Sequence, residues 1–142
     1  MTNQKRILFV DDDRDFLSVQ AAILTAEGYQ VLTAESAEEA LRLLEKETPD
    51  LIFLDLMLEH FDSGFTLSHK IRKKERFRHV PLIMLSAVAS ATGKRFDQEK
   101  EGLKSWSKLD GFLDKPVSSK ELLRLVEEKL GPAAGGKPAG EH

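Results

Sequence analysis

Cysteine is absent from this chain, which rules out a disulfide framework and thiol chemistry alike. No apolar run is long enough for a membrane span or a signal sequence. The first, Ile7 to Val10, is short and is followed by three aspartates. A cytoplasmic location with no membrane partner is the expectation. Excess charge of one sign is also missing: the formal net charge is −3, which recommends neither nucleic acid nor an anionic membrane. There is no internal repeat. His60, His69, His79 and His142 are scattered without metal-ligand spacing. Ala91-Thr92-Gly93-Lys94 lacks the earlier glycine and the leading strand of a phosphate loop, and is set aside.

What is present is a charged surface over a repeating strand and helix pattern. At 142 residues the chain is expected to form one domain that buries its core unaided. Ile7-Leu8-Phe9-Val10, Leu51-Ile52-Phe53-Leu54 and Leu82-Ile83-Met84-Leu85 are strand-length and apolar on both faces, the pattern of central strands in a parallel sheet. Tyr29 to Thr33 reads as a strand nearer an edge, and Gly111 to Leu113 as a short fifth strand. Between them, Phe16, Leu17, Gln20, Ile23 and Leu24 mark one face of a helix that Gly28 would end. Ser36-Ala37-Glu38-Glu39 and Ser118-Ser119-Lys120-Glu121 fit capping boxes opening two further helices. Ser63 or Gly64 to about Glu75 reads as another, with a thinner apolar face. The alternation predicts an α/β fold: a doubly wound five-stranded parallel sheet with helices on both faces. The segment 87–110 should hold a helix, although Gly93, Gly102 and scattered charges blur its period. The folded unit is expected over 1–131, with 132–142 a flexible tail of Gly, Pro and Ala.

The strands end on chemically loaded residues. Asp11, Asp12 and Asp13 follow the first, Asp55 the third, Ser86 the fourth, and Lys115-Pro116 the fifth. In an open parallel sheet, ligands bind outside the carboxyl ends of the strands. Crowded carboxylates repel, and a hard divalent cation with oxygen ligands relieves them; Mg²⁺ suits because it leaves positions for water and phosphate. Asp55, alone at its strand end, is the candidate nucleophile for an acyl phosphate. Lys115 would neutralise phosphoryl charge and the Ser86 hydroxyl could donate to another phosphoryl oxygen.

With these four motifs in order, the chain closely resembles the receiver domain of bacterial two-component response regulators, over residues 5 to about 130. The resemblance implies a flavodoxin-like strand order 2-1-3-4-5, with Asp55 as phosphoacceptor and Ser86 and Lys115 as phosphate-binding groups. It implies Mg²⁺ held by Asp12, Asp55 and the Met57 backbone carbonyl, with Asp11 acting through water. It further implies Ser86 and Phe112 as the moving switch pair and a cis bond before Pro116. The phosphoryl donor would be a histidine kinase or phosphotransfer protein. No folded domain is seen after residue 131, so a single-domain type without DNA-binding output is expected. Such a protein would signal by binding an unknown downstream protein or by phosphorelay, catalysing only its own phosphorylation and dephosphorylation.

The chain departs from the commoner pattern in three places. Glu59 stands where most receivers carry proline, the Ser86 to Lys115 spacing is long, and Phe112 replaces the commoner tyrosine. Met57 and Val88 are apolar where the family flanks the phosphoryl group, so a long-lived phosphoryl state is expected; Trp106 is expected to report on activation. Two other readings compete. An aspartate-nucleophile phosphohydrolase of the haloacid dehalogenase type also places Asp-x-Asp after its first strand, here Asp11 and Asp13. It lacks support at Asp15 and in any acidic pair after Lys115. A docking module that keeps only the fold would not need every phosphate-site residue. Taken singly, each of these residues has an ordinary explanation, and Asp13 reads equally as a helix cap. The basic run Lys70, Arg72, Lys73, Lys74, Arg76 and Arg78 reads as a solvated helix face and its exit.

Overall fold

The computed structural model describes residues 4–55, 63–86 and 110–131. Its elements follow one another as β1 (Arg6–Val10), α1 (Arg14–Ala26), β2 (Gln30–Ala34), α2 (Ala37–Leu44), β3 (Leu51–Asp55) and α3 (Ser63–Arg72). A 3₁₀ turn (Glu75–Phe77), β4 (Leu82–Ser86), β5 (Gly111–Asp114) and α4 (Ser119–Leu130) complete them. The strands form one sheet in the order β2-β1-β3-β4-β5, and every pairing is parallel. This is the flavodoxin-like order.

The strands alternate cleanly between two cores, because successive side chains of a strand point to opposite faces. Leu8, Val10, Ile52, Leu54, Leu82 and Met84 pack with Ala40 and Leu44 of α2 and Leu67 and Ile71 of α3. Ile7, Phe9, Leu51, Phe53, Ile83, Leu85 and Leu113 pack with Leu17 and Leu24 of α1 and Leu122 and Val126 of α4. The sheet is therefore covered on both sides, and β1, β3 and β4 carry almost no polar residue except at their ends. In the second core Phe9 and Phe53 stack at 4.5 Å between centroids, with ring planes 7° apart.

Local chemistry sets the helix ends. Asp13 caps α1 by accepting from the Phe16 N–H at 3.1 Å, Ser36 caps α2 from Glu39 at 3.1 Å, and Ser118 caps α4 from Glu121 at 3.1 Å. After α1 the chain reverses through Gly28 at φ 104°, a conformation other residues resist. The third helix stops at Arg72, short of the expected Glu75. The Arg72 guanidinium turns back on the chain ahead, donating to the carbonyls of Phe77 (2.8 Å), Arg78 (3.0 Å) and Val80 (2.6 Å). A continuing helix would carry those carbonyls out of its reach. Of the basic run, Lys70, Lys73, Lys74, Arg76 and Arg78 are exposed, while Arg72 is drawn inward.

Candidate functional site

The parallel register sets the ends of β1 and β3 side by side: Val10 pairs with Leu54, so Asp11 and Asp55 leave the ladder together. Asp11 is fully buried and extends the β1–β2 ladder by one bond, from its N–H to the Ala34 carbonyl at 3.0 Å. Asp55, the last residue of β3, is 7% exposed. Asp12 is exposed at the rim. Each of the three offers a carboxylate oxygen, and these lie within 4.8 Å of one another.

One cation enters this cluster from the far side of the sheet. Lys115 follows β5 directly, and its N–H donates to the Ser86 carbonyl at 2.9 Å, continuing the β4–β5 ladder. Its Nζ lies 2.7 Å from Asp11 Oδ2 and 3.9 Å from Asp55 Oδ1. The Lys115–Pro116 peptide is cis. Among the described residues, three carboxylates against one ammonium leave the cluster short of positive charge. Asp11 Oδ1 accepts from the Asp13 N–H at 2.9 Å, but the fully buried Oδ2 makes only the ion pair, with no directed hydrogen bond among the described residues. A hard all-oxygen donor set with an under-satisfied buried oxygen fits a small divalent cation.

The remaining site candidates are distributed as follows. Ser86 ends β4 and is fully buried. Phe112 pairs with Met84 in register and packs, partly buried, against the core under α2 and α3. Met57, Glu59, His60, Val88, Trp106 and His142 lie outside the described residues, as do most of the segment 87–110 and the tail 132–142. Two contacts have no local signal in the sequence. The Phe16 ring lies under the Lys115 ammonium, 4.5 Å from centroid to Nζ. Asp110, just before β5, accepts from Arg72 Nη2 at 2.7 Å and from the Leu82 N–H at 2.8 Å.

Comparison with known proteins gives the family and its fold. Residues 7–127 match the family model described as the response regulator receiver domain. The probable transcriptional regulator ycf27 of Porphyra purpurea is 37% identical over 131 residues, 92% of this chain and 49% of its own length. The chain thus spans about half the length of that relative. A protein of Leptolyngbya boryana, the uncharacterized 14.6 kDa protein in the sodA1 3' region, is 37% identical over 125 residues and is covered over 89% of its length. Among solved structures, the CheY-like response regulator receiver domain protein of Methanospirillum hungatei superposes with a TM-score of 0.76 at 32% identity, covering 89% of this chain and 94% of that one. The receiver domain of the sensor histidine kinase PA1611 of Pseudomonas aeruginosa, with a magnesium ion coordinated in its active site cleft, gives 0.75 at 29% identity. It covers 90% of this chain and 98% of that one. With sequence, topology and acidic edge in agreement, the chain belongs to the response regulator receiver domain family.

Proposed function

We propose that this receiver domain accepts a phosphoryl group on Asp55 from a histidine kinase or phosphotransfer protein, and passes the signal on by protein binding or by phosphorelay. The receiver unit in this reading runs to about residue 131. The observation that carries it is the position of Asp55: a strand-end carboxylate sharing a 4.8 Å cluster with Asp11 and Asp12, and 3.9 Å from the Lys115 ammonium.

In the proposed transfer an Asp55 carboxylate oxygen attacks the phosphorus of a phosphohistidine donor. A P–O bond forms as the P–N bond breaks, and the departing imidazole nitrogen takes its proton from solvent. Lys115 is close enough to shift from Asp11 toward a phosphoryl oxygen on Asp55, neutralising charge without crossing the site. The Ser86 hydroxyl, at the end of the neighbouring strand, is assigned to a second phosphoryl oxygen. Asp11, Asp12, Asp55 and the Met57 carbonyl would hold Mg²⁺, which when bound screens the carboxylates and the phosphoryl oxygens from one another. Both Asp11 oxygens are engaged, one accepting from the Asp13 N–H and the other paired with Lys115, which makes Asp11 a poor nucleophile. This weighs against the phosphohydrolase reading. Phe112, on the opposite face from the Phe9–Phe53 stack, is assigned the switch role together with Ser86.

Incubation with acetyl phosphate or phosphoramidate plus Mg²⁺, followed by mass mapping, tests the reading. A hydroxylamine-sensitive adduct on Asp55, lost in Asp55→Asn, is the expected result. Steady substrate turnover dependent on Asp11, or no adduct at all, would overturn it.

A further inference from the structure

The contact between Lys115 and Phe16 joins two residues that nothing in the chain's local pattern relates. Phe16 sits in the first turn of α1, and its N–H is the one that the Asp13 cap accepts, so the cap fixes where the ring begins. The ring meets Phe9 edge-on, with centroids 6.4 Å apart and planes at 70°. Phe9 in turn stacks on Phe53, two residues before Asp55. An aromatic series therefore runs from the strand carrying Asp55, across β1, to the ring face on which the Lys115 ammonium rests. The lysine has a long flexible stem and would otherwise sample many positions around three carboxylates. Here the ammonium has the Asp11 carboxylate at 2.7 Å and a π face at 4.5 Å as fixed partners, with Asp55 Oδ1 at 3.9 Å.

We infer that Phe16 is a positioning residue for phosphoryl transfer: its ring face holds the Lys115 ammonium beside Asp55 and shields it from water on that side. The inference rests on the phosphoacceptor reading given above. A ring that only packed against the core would need no charged partner, and Phe16 is itself only partly buried. Cation–π attraction grows as the cation is desolvated, and Lys115 is mostly enclosed, its side chain 19% exposed.

The test compares Phe16→Leu, which keeps apolar bulk without the π face, with Phe16→Tyr, which keeps both. Each is made alone and in a Lys115→Met background, and the rate of adduct formation from phosphoramidate with Mg²⁺ is measured. Phe16→Leu is expected to slow the rate by about three- to tenfold, and Phe16→Tyr to stay near the wild-type rate. In the Lys115→Met background the difference between Phe16 and its leucine variant should vanish, because there is no ammonium left to hold. A Phe16→Leu rate equal to wild type, or the same slowing with Lys115→Met, would overturn the inference. A second measurement uses the unmodified protein, so that failure to fold decides nothing. Ring currents should shift the Lys115 side-chain methylene protons upfield in the NMR spectrum, and unshifted protons would refute the contact. If wild type forms no adduct, the phosphoacceptor reading fails separately and the methylene shifts still decide where Lys115 sits.

Discussion

Arg72 and Asp110 lie 38 positions apart and meet at 2.7 Å, tying the last residue of α3 to the approach to β5. The Arg72 side chain is mostly buried and also holds the carbonyls of Phe77, Arg78 and Val80. Asp110 adds a bond from the Leu82 N–H, and its own N–H donates to the Leu82 carbonyl at 2.8 Å. The two residues thus bracket the start of β4. Truncating one partner strands the others, and hydrogen bonds to charged groups are the costly ones to lose. Arg72→Ala is expected to lower unfolding free energy by about 3 kcal/mol in urea melts. Arg72→Lys should recover less than half of that, because one ammonium cannot span four oxygens. A loss below about 0.5 kcal/mol for Arg72→Ala would mean the bracket is ornamental.

The acidic edge should show a trade between stability and ion binding. Asp12 is exposed, so Asp12→Asn removes one of three crowded charges without opening a cavity. In metal-free buffer this variant is expected to gain about 0.5–1 kcal/mol in stability through relief of repulsion. Millimolar Mg²⁺ should then raise the melting temperature of wild type clearly and that of the variant little, because a ligand stabilises only the state that binds it. Thermal melts with and without Mg²⁺ read both effects. Equal Mg²⁺ shifts in the two proteins would remove Asp12 from the ion site.

Tyr29 gives an alkaline signature. Its phenol is buried and donates to the Gly131 carbonyl at 3.1 Å, fastening the end of α4 beside β2. Burial first, then the Glu127 and Glu27 carboxylates, raises its pKa above the ordinary 10.0. The neutral phenol is the form the fold favours. Its stabilisation is therefore fully present below pH 10.0 and disappears as pH climbs through the raised folded value. Tyr29→Phe should cost about 1 kcal/mol at neutral pH and flatten the alkaline fall in stability. Phenolate absorbance follows the titration without overlap, because the chain has one tyrosine. Titration at or below 10.0 would contradict the raised pKa.

Most of the sheet could be reasoned from the chain because its information is short-range. Two-sided apolar runs mark β1, β3 and β4, and the caps at Ser36 and Ser118 lie within one turn of the N–H groups they serve. Strand ends in a parallel sheet share one edge, so the meeting of Asp11 and Asp55 followed from topology. The end of α3 did not, because what stops it is a guanidinium reaching forward to carbonyls and across to Asp110. Nor did the Phe16 contact: a face marked by Leu17, Gln20 and Leu24 looks like packing, and nothing local points from Phe16 to Lys115.

Alternation along the strands has one more effect at the rim. Asp55 closes β3 on the parity of Leu51 and Phe53, which faces α1 and α4. By the same rule Ser86 closes β4 on the parity of Leu82 and Met84, which faces α2 and α3. A group gripped by both end residues would straddle the sheet like a rivet through a plate, so its arrival or departure would be felt in the two layers of helices at once.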